Sequence, residues 1–363
     1  MIAPAPREVS FGYVTGLARA GTERILVSVA GRRLAEKPTH GPRFSFTVAL
    51  PRQDVTVKVT AVDALGRRAT TVVGPVYGLP RSAPPAVARR GYEDPALARR
   101  LNSLARRFPG TCAVFVQDLR TGAGAAWNAR ARFPAASTLK LAIAVEVLRV
   151  YRGKPPPGSE IEGLLQQMLV ASDAKAANAL LVWLGGSTSA GGARVDATLR
   201  ALGLFDTEMY GGYEIRKPAA HTRRPIPLRI ESAPSFGVGK YTTAWDLARL
   251  MHYLHLAAEA KGLLVHRFRG EFTPSDARFL LYVLAHVGER GRLDRYLSVG
   301  GAAVLQKAGW IDRARHDNGL VYWPGGAFVV TVLTWNPRGA GLSSDVLAGK
   351  VARTAFDRFR RRS

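Results

Sequence analysis

Apolar residues recur with two different periods along this 363-residue chain, and the change of period divides it. From 7 to 79 the period is two. Phe44-Ser45-Phe46-Thr47-Val48 alternates, Val55 to Val62 alternates cleanly, and Ile25 to Val29 is a short apolar run. Such runs between clusters of Gly, Pro and Asp predict the antiparallel strands of a small sandwich. Asp63-Ala64-Leu65-Gly66 predicts a turn into a last strand from Arg68 to Val73. The stretch GLPRSAPPAVARRG, Gly78 to Gly91, then loses all periodicity and gains proline, as a linker does.

Beyond the linker the helical period takes over. Leu97, Leu101, Leu104 and Phe108 share one helix face, and Ile161, Leu164, Leu165, Met168 and Leu169 form a second stripe. Thr111 to Asp118 and Gly122 to Trp127 predict a hairpin. The apolar stretch 137–151 is long enough without a breaker to predict a buried helix rather than a strand. Ala176 to Leu184 predicts a helix stopped by Gly185-Gly186, and Thr243 to Ala260 another. Gly319 to Trp323 and Ala327 to Thr334 predict a hairpin about Pro324-Gly325-Gly326, followed by a last helix from about Ser343 to Phe359. The expected division is an all-β domain over 1–79, a Pro/Arg-rich linker over 80–92 and an α+β domain over 93–363.

Composition narrows the function classes. Hydrophobic residues make up 47% of the chain, enough for two packed cores. No window approaches eighteen uninterrupted apolar residues, so no transmembrane segment is expected. The start, MIAPAPREVS, has neither the basic nor the apolar region of a signal peptide. The single cysteine, Cys112, excludes an internal disulfide and reads as a core residue. The net charge of +25 favours polyanionic neighbours. Its arginines are spread in pairs along the chain and form no nucleic-acid motif, so no specific nucleic acid is expected. The seven histidines have no ligand spacing, and neither a metal nor a cofactor is implied.

Candidate chemistry begins at Ser137-Thr138-Leu139-Lys140. A serine and a lysine three apart on a helix share a face. That lets an amine take a proton from a hydroxyl and activate it without histidine. Burial in so apolar a helix disfavours the charged amine, which suits a base. An N-cap role for Ser137 and a snorkelling role for Lys140 are the structural alternatives. Ser172-Asp173-Ala174 follows, and Lys307-Ala308-Gly309 lies just before the C-terminal hairpin.

In order and spacing these three elements resemble the S-x-x-K, S-D-N and K-T-G motifs of class A β-lactamases and penicillin-binding proteins. Arg132-Phe133-Pro134 and Ala176-Ala177-Asn178 also look like that family, over the chain from about 93 to the end. The resemblance implies helices packed on an antiparallel sheet beside a helical subdomain. The strands before residue 79 resemble a bacterial Ig-like module, which implies a spacer or an adhesion element.

The resemblance implies roles residue by residue. Ser137 would be the nucleophile, Lys140 its proton acceptor, and Ser172 the shuttle to the leaving nitrogen. Asp173 would brace its loop. Lys307 would supply positive charge near Ser172 and the substrate carboxylate, and Gly309 would let the substrate backbone approach. The amides of Ser137 and Trp310 would form the oxyanion hole. Ala174 and Ala308 stand where the family has a substrate-binding asparagine and hydroxyl. The deacylating E-x-x-x-N sequence is missing between Gly203 and Tyr241, where Glu208 and Glu214 are acidic but lack the asparagine. His316-Asp317-Asn318-Gly319 reads as a turn, with a polar contact at the cleft as its functional alternative. The expected function is an active-site serine hydrolase acylated by a β-lactam or a D-alanyl peptide of peptidoglycan, with slow deacylation. The alternative is a binding module of the same fold held on an anionic cell-wall polymer or a protein partner. Either implies a place outside the cytoplasmic membrane.

Overall fold

Alternation in the first part of the chain builds a two-layered β domain. In this computed structural model, residues 2–39, 41–80, 90–213, 239–297 and 301–361 are described. Strands β1 (Glu8–Ser10), β2 (Tyr13–Leu17), β3 (Thr22–Val29), β4 (Arg32–Pro38), β5 (Arg43–Thr47), β6 (Asp54–Asp63) and β7 (Arg68–Gly78) form it. One sheet runs β1-β7-β6-β3-β4, and β2 pairs with β5. Val55, Val57 and Val59 of β6 turn inward with Ile25, Val27, Val14 and Phe46, while the intervening residues face solvent. Most of the expected linker, 81–89, lies outside the described residues.

The rest is a sheet covered on both faces. It runs β13 (Ala303–Ile311), β14 (Ala314–Trp323), β15 (Gly326–Trp335), β9 (Thr111–Asp118), β10 (Ala123–Trp127), β8 (Tyr92–Glu93). Every second residue of β9 (Cys112, Val114, Val116) packs under α1 (Pro95–Arg106) and α9 (Leu342–Arg360). Ala113 and Phe115 face the other core with α2 (Lys140–Tyr151), α6 (Ala244–Ala258) and α8 (Pro274–Ala285). Two buried faces explain why β9 reads as a continuous apolar run. Beside the sheet lie α3 (Glu160–Val170), α4 (Ala174–Gly185), α5 (Thr188–Ala201) and the short α7 (Leu263–Arg267).

Three helices escaped the pattern, the short α7 and the longer α5 and α8. In α5, Gly191 and Gly192 look like breakers, yet a Cβ on Gly191 would sit 2.0 Å from the Leu181 carbonyl oxygen. Gly191 serves close contact with α4, and Gly192 close approach of the Met209 carbonyl, 2.7 Å from where its Cβ would be. Helix α8 is apolar on nearly every side because the β domain covers it, and its start carries a Thr273/Asp276 capping box with Pro274. The expected turn at 316–319 is also corrected: these residues lie inside β14, buried between β13 and β15.

The β domain is docked onto the helices. Val9, Phe11 and Leu79 belong to the same apolar cluster as α2, α6 and α8. Glu8, 1% exposed, accepts from Lys154 at 2.7 Å and Arg278 at 2.6 Å. Asp54 accepts from Tyr282 at 2.9 Å, and its other oxygen meets His286 at 3.1 Å. Arg7 reaches Glu162 on α3 and the ring of Phe279 on α8.

Candidate active site

Two short strands, β11 (Phe133–Pro134) and β12 (Tyr241–Thr242), pair and deliver the chain to the site. Ala135 donates to the Lys240 carbonyl at 2.9 Å, and His316 clamps the same segment from below. The imidazole donates from Nε2 to the Pro134 carbonyl at 2.7 Å and accepts the Thr334 amide on Nδ1 at 3.1 Å. Burial pushes its pKa down to about 4, so it stays neutral and the tautomer is fixed by its partners.

Ser137 sits in a 3-10 turn, Ala136–Leu139, that runs directly into α2. The helix has no side-chain cap, so Ser137 is not a capping serine, and its hydroxyl is left to the cleft. Ala136 before it has φ +47°, and Ser172 has φ +57°. Non-glycine residues in that region are strained by roughly 1–3 kcal/mol each, and such strain gathers at functional sites. Lys140, the first residue of α2, is 1% exposed. Its amine donates to the Ser172 carbonyl, lies 3.5 Å from Ser172 Oγ, and stands 4.7 Å from the centre of the Tyr213 ring.

Ser172 Oγ is shared between two amines. Lys307 reaches it from β13 at 2.9 Å and also donates to its neighbour's carbonyl, Ala308 O, at 3.1 Å. Lys307 is fully buried, and burial lowers its pKa to about 8 against the support of Glu289 and Asp317. Asp173 caps α4, accepting the Ala176 amide at 2.6 Å, and so fixes the loop that presents Ser172. Gly309 lies flat against the Ser137 turn: a Cβ there would stand 2.7 Å from the Ser137 nitrogen and 2.8 Å from that of Thr138. Only a residue without a side chain lets β13 come so close.

Ser137, Lys140, Ser172, Ala174 and Trp310 line one cleft of about 860 Å³. Lys307 lies beneath it. Ala308 is fully buried and does not line the cleft, so it does not occupy the ligand-facing place expected of it. Glu208 does not line it either: its carboxylate accepts the Tyr241 hydroxyl at 2.8 Å. Glu214 lies outside the described residues. Its neighbour Tyr213 lines the cleft and is held by Asn178 through two hydrogen bonds, of 2.7 and 2.8 Å. The motifs missed several lining residues. Lys240, whose pKa burial lowers to about 8, donates to the Gly212 carbonyl at 2.6 Å and lies 4.4 Å from the Tyr213 ring. Glu289, Asp312, Arg313 and Trp335 complete the wall near β13. Neither their sequence spacing nor any motif marked them. Among the described residues no group of His, Cys, Asp and Glu is arranged to hold a metal ion. Cys112 is buried away from the cleft and its thiol is pushed up to about 12, which removes it as a nucleophile.

The sequence model described as the beta-lactamase enzyme family matches residues 96–154 and 151–359. The chain belongs to the beta-lactamase enzyme family. Solved structures place the family's fold on it. PBP-A is 19% identical with a TM-score of 0.59, covering 76% of this chain and all of that one. The β-lactamase from Sphaerobacter thermophilus is 20% identical, TM-score 0.54, over 74% and 98% of the two chains. An ancestral class A β-lactamase is 23% identical, TM-score 0.55, over 72% and 100%. At these identities the likeness carries the fold. No curated protein matches the chain in sequence. The family membership makes it a serine-hydrolase-type enzyme at the family level, and the β domain precedes the matched region. No helix among the described residues is long and apolar enough to cross a membrane.

Proposed function

We propose that this protein is an acyl-transfer hydrolase that uses Ser137 as its nucleophile. Ser137 Oγ bonds to the acyl carbon as its proton passes to the Lys140 amine. The bond from that carbon to the leaving nitrogen then breaks. The nitrogen departs with a proton from the Ser172 hydroxyl, which Lys140 replenishes while the Lys307 ammonium holds the hydroxyl in place. The amides of Ser137 and Trp310 take the oxyanion. The observation that carries this reading is the convergence on Ser172 Oγ of two lysines 167 positions apart in sequence, Lys140 at 3.5 Å and Lys307 at 2.9 Å. An ordinary structural serine has no use for two buried amines.

The substrates proposed are β-lactams or D-alanyl peptides of peptidoglycan, met outside the cytoplasmic membrane. A PBP-A variant has been solved as an acyl-enzyme with penicillin G, which supports that class. Intact-mass spectrometry after incubation with benzylpenicillin is expected to show one adduct on the protein and none on Ser137→Ala. An adduct on the alanine variant removes Ser137 from the role, and no adduct on either favours a binding module.

Deacylation is proposed to be slow. Glu208 is occupied by Tyr241 and no E-x-x-x-N sequence follows. A positioned base is worth about 10²–10⁴-fold in such a step. A chromogenic cephalosporin should give a burst near one equivalent and then a weak steady state. Fast turnover that Glu214→Gln abolishes would instead make Glu214 the base.

A further inference from the structure

Several half-buried cations of this chain are matched by carboxylates. Lys154 meets Glu8 at 2.7 Å, Arg132 meets Asp206 at 3.0 Å, and Arg149 meets Glu146 at 2.7 Å. Lys240 is half-buried too, and it lines the cleft, but it is held differently. Its ammonium donates to the Gly212 carbonyl at 2.6 Å and lies 4.4 Å from the centre of the Tyr213 ring. Among the described residues no carboxylate pairs with it. Burial lowers its pKa only to about 8, so the ammonium persists at neutral pH. An ammonium has three N–H donors, and the Gly212 carbonyl takes one. A charge drawn out of water without an opposite charge is costly, and an anion arriving beside it offsets that cost.

The place of Lys240 decides which part of an acyl compound reaches it. Contacts run in a row across the cleft. Lys307 meets Ser172 at 2.9 Å, Ser172 Oγ lies 3.5 Å from Lys140, Lys140 lies 4.7 Å from the Tyr213 ring centre, and Lys240 lies over the same ring. A leaving nitrogen takes its proton at Ser172, toward the Lys307 end of that row. The two substituents of a carbonyl carbon diverge, so the acyl chain that stays on Ser137 points away from Ser172. Lys240 stands at the other end, and its own carbonyl accepts the Ala135 amide at 2.9 Å, two residues before Ser137. The acyl-side wall is thus an aromatic face that ends in an ammonium. Arg313, in the turn between β13 and β14, also lines the cleft and serves as the comparison below.

We infer that Lys240 sets specificity by binding a carboxylate on the acyl side chain, so that the preferred substrates are acyl compounds whose acyl chain is itself acidic. The ring of Tyr213 takes the apolar part of the same chain. This rests on Ser137 being the nucleophile, and the chemistry is the same acyl transfer.

The test compares carbenicillin with benzylpenicillin. The two share the carboxylate on the leaving-nitrogen side and differ only in a second one on the acyl side chain. Second-order acylation is read by intact mass on the full chain, as the ratio of the two rates. The wild type is expected to react faster with carbenicillin. The ratio should fall about tenfold in Lys240→Met, as loss of a charge-assisted hydrogen bond does. Lys240→Gln keeps a donor for the Gly212 carbonyl without the charge, and should lower the ratio as Met does. Lys240→Arg keeps the charge and should retain most of the preference. Arg313→Met should leave the ratio unchanged. A wild type that prefers benzylpenicillin overturns the inference while leaving Ser137 as nucleophile. So does a ratio that neither Lys240→Met nor Lys240→Gln alters. An equal fall in Arg313→Met overturns it as well, because the preference would then belong to the overall charge of the protein. Failure of both compounds to label Ser137 overturns the underlying reading and the inference with it.

Discussion

Lys307 shows how one buried residue couples activity to pH. Its pKa is lowered from the ordinary 10.5 to about 8, first by burial. The ammonium that holds Ser172 is therefore lost as pH rises through about 8, and acylation should fall there. Stability moves the other way. Between about 8 and 10.5 the unfolded chain binds the proton and the folded one does not, so this residue's contribution to stability rises with pH across that window. A pH profile of acylation should show the alkaline limb, and Lys240→Met should keep it although Lys240 titrates nearby. A limb that vanishes in Lys240→Met assigns it to that lysine instead. Sequence order was enough to single out Lys307. It gave no hint of Lys240, whose role in the wall follows from a backbone bond to Ala135 and a shared tyrosine ring.

Among elements, the decisive contact is between β13 and the turn that holds Ser137. Strand and turn meet backbone to backbone at Gly309, with no room for a methyl group. Gly309→Ala must push the strand outward. Overpacking of this kind costs about 1–3 kcal/mol. A displacement near 1 Å at a reacting group costs about 10²-fold in rate. The variant should remain folded by circular dichroism yet acylate at least tenfold more slowly. A folded variant acylating at the wild-type rate would mean that the strand gives way harmlessly. The same strand shows a limit of motif reading. K-A-G was legible as an edge-strand tripeptide, and β13 is indeed the edge of its sheet. That Lys307 and Gly309 turn to Ser172 and Ser137 while Ala308, between them, is buried on the other face was set by the pairing with β14, which no short motif encodes.

At the scale of the whole molecule, the β domain and the helical layer share one core. Glu8 is the clearest test of that union. Burial opposes its charge, yet Arg278, Lys154 and Ser275 together hold its pKa below the usual 4.5. Glu8→Ala strands two cations at a buried interface, and removing one partner of such a pair costs about 3–5 kcal/mol. Thermal unfolding should show a single transition moved down by several degrees or more, followed by a fall in acylation as α3 and α8 loosen. A variant with unchanged midpoint would show that the apolar contacts of Val9, Phe11 and Leu79 suffice. Because the carboxyl is depressed, its stabilisation is present above about 4.5 and is lost as pH falls through the folded value.

The sequence by itself determined the local choices. Period two fixed the strands of the β domain, the helical stripes fixed α1, α3 and α6, and the ordered S-x-x-K, S-D-A and K-A-G elements named four residues that the fold brings together. These signals are local or ordered, so they survive without knowledge of distance. Tertiary structure alone decided the rest. It made the glycines of α5 contact points instead of breakers, and placed 316–319 in a buried strand. It tied Glu208 to Tyr241 and docked the β domain onto α8. It also built the cleft wall from Tyr213, Lys240, Glu289 and Trp335, which share no pattern. Each of these depends on which backbone approaches which other, and that is settled by packing between segments far apart in the chain.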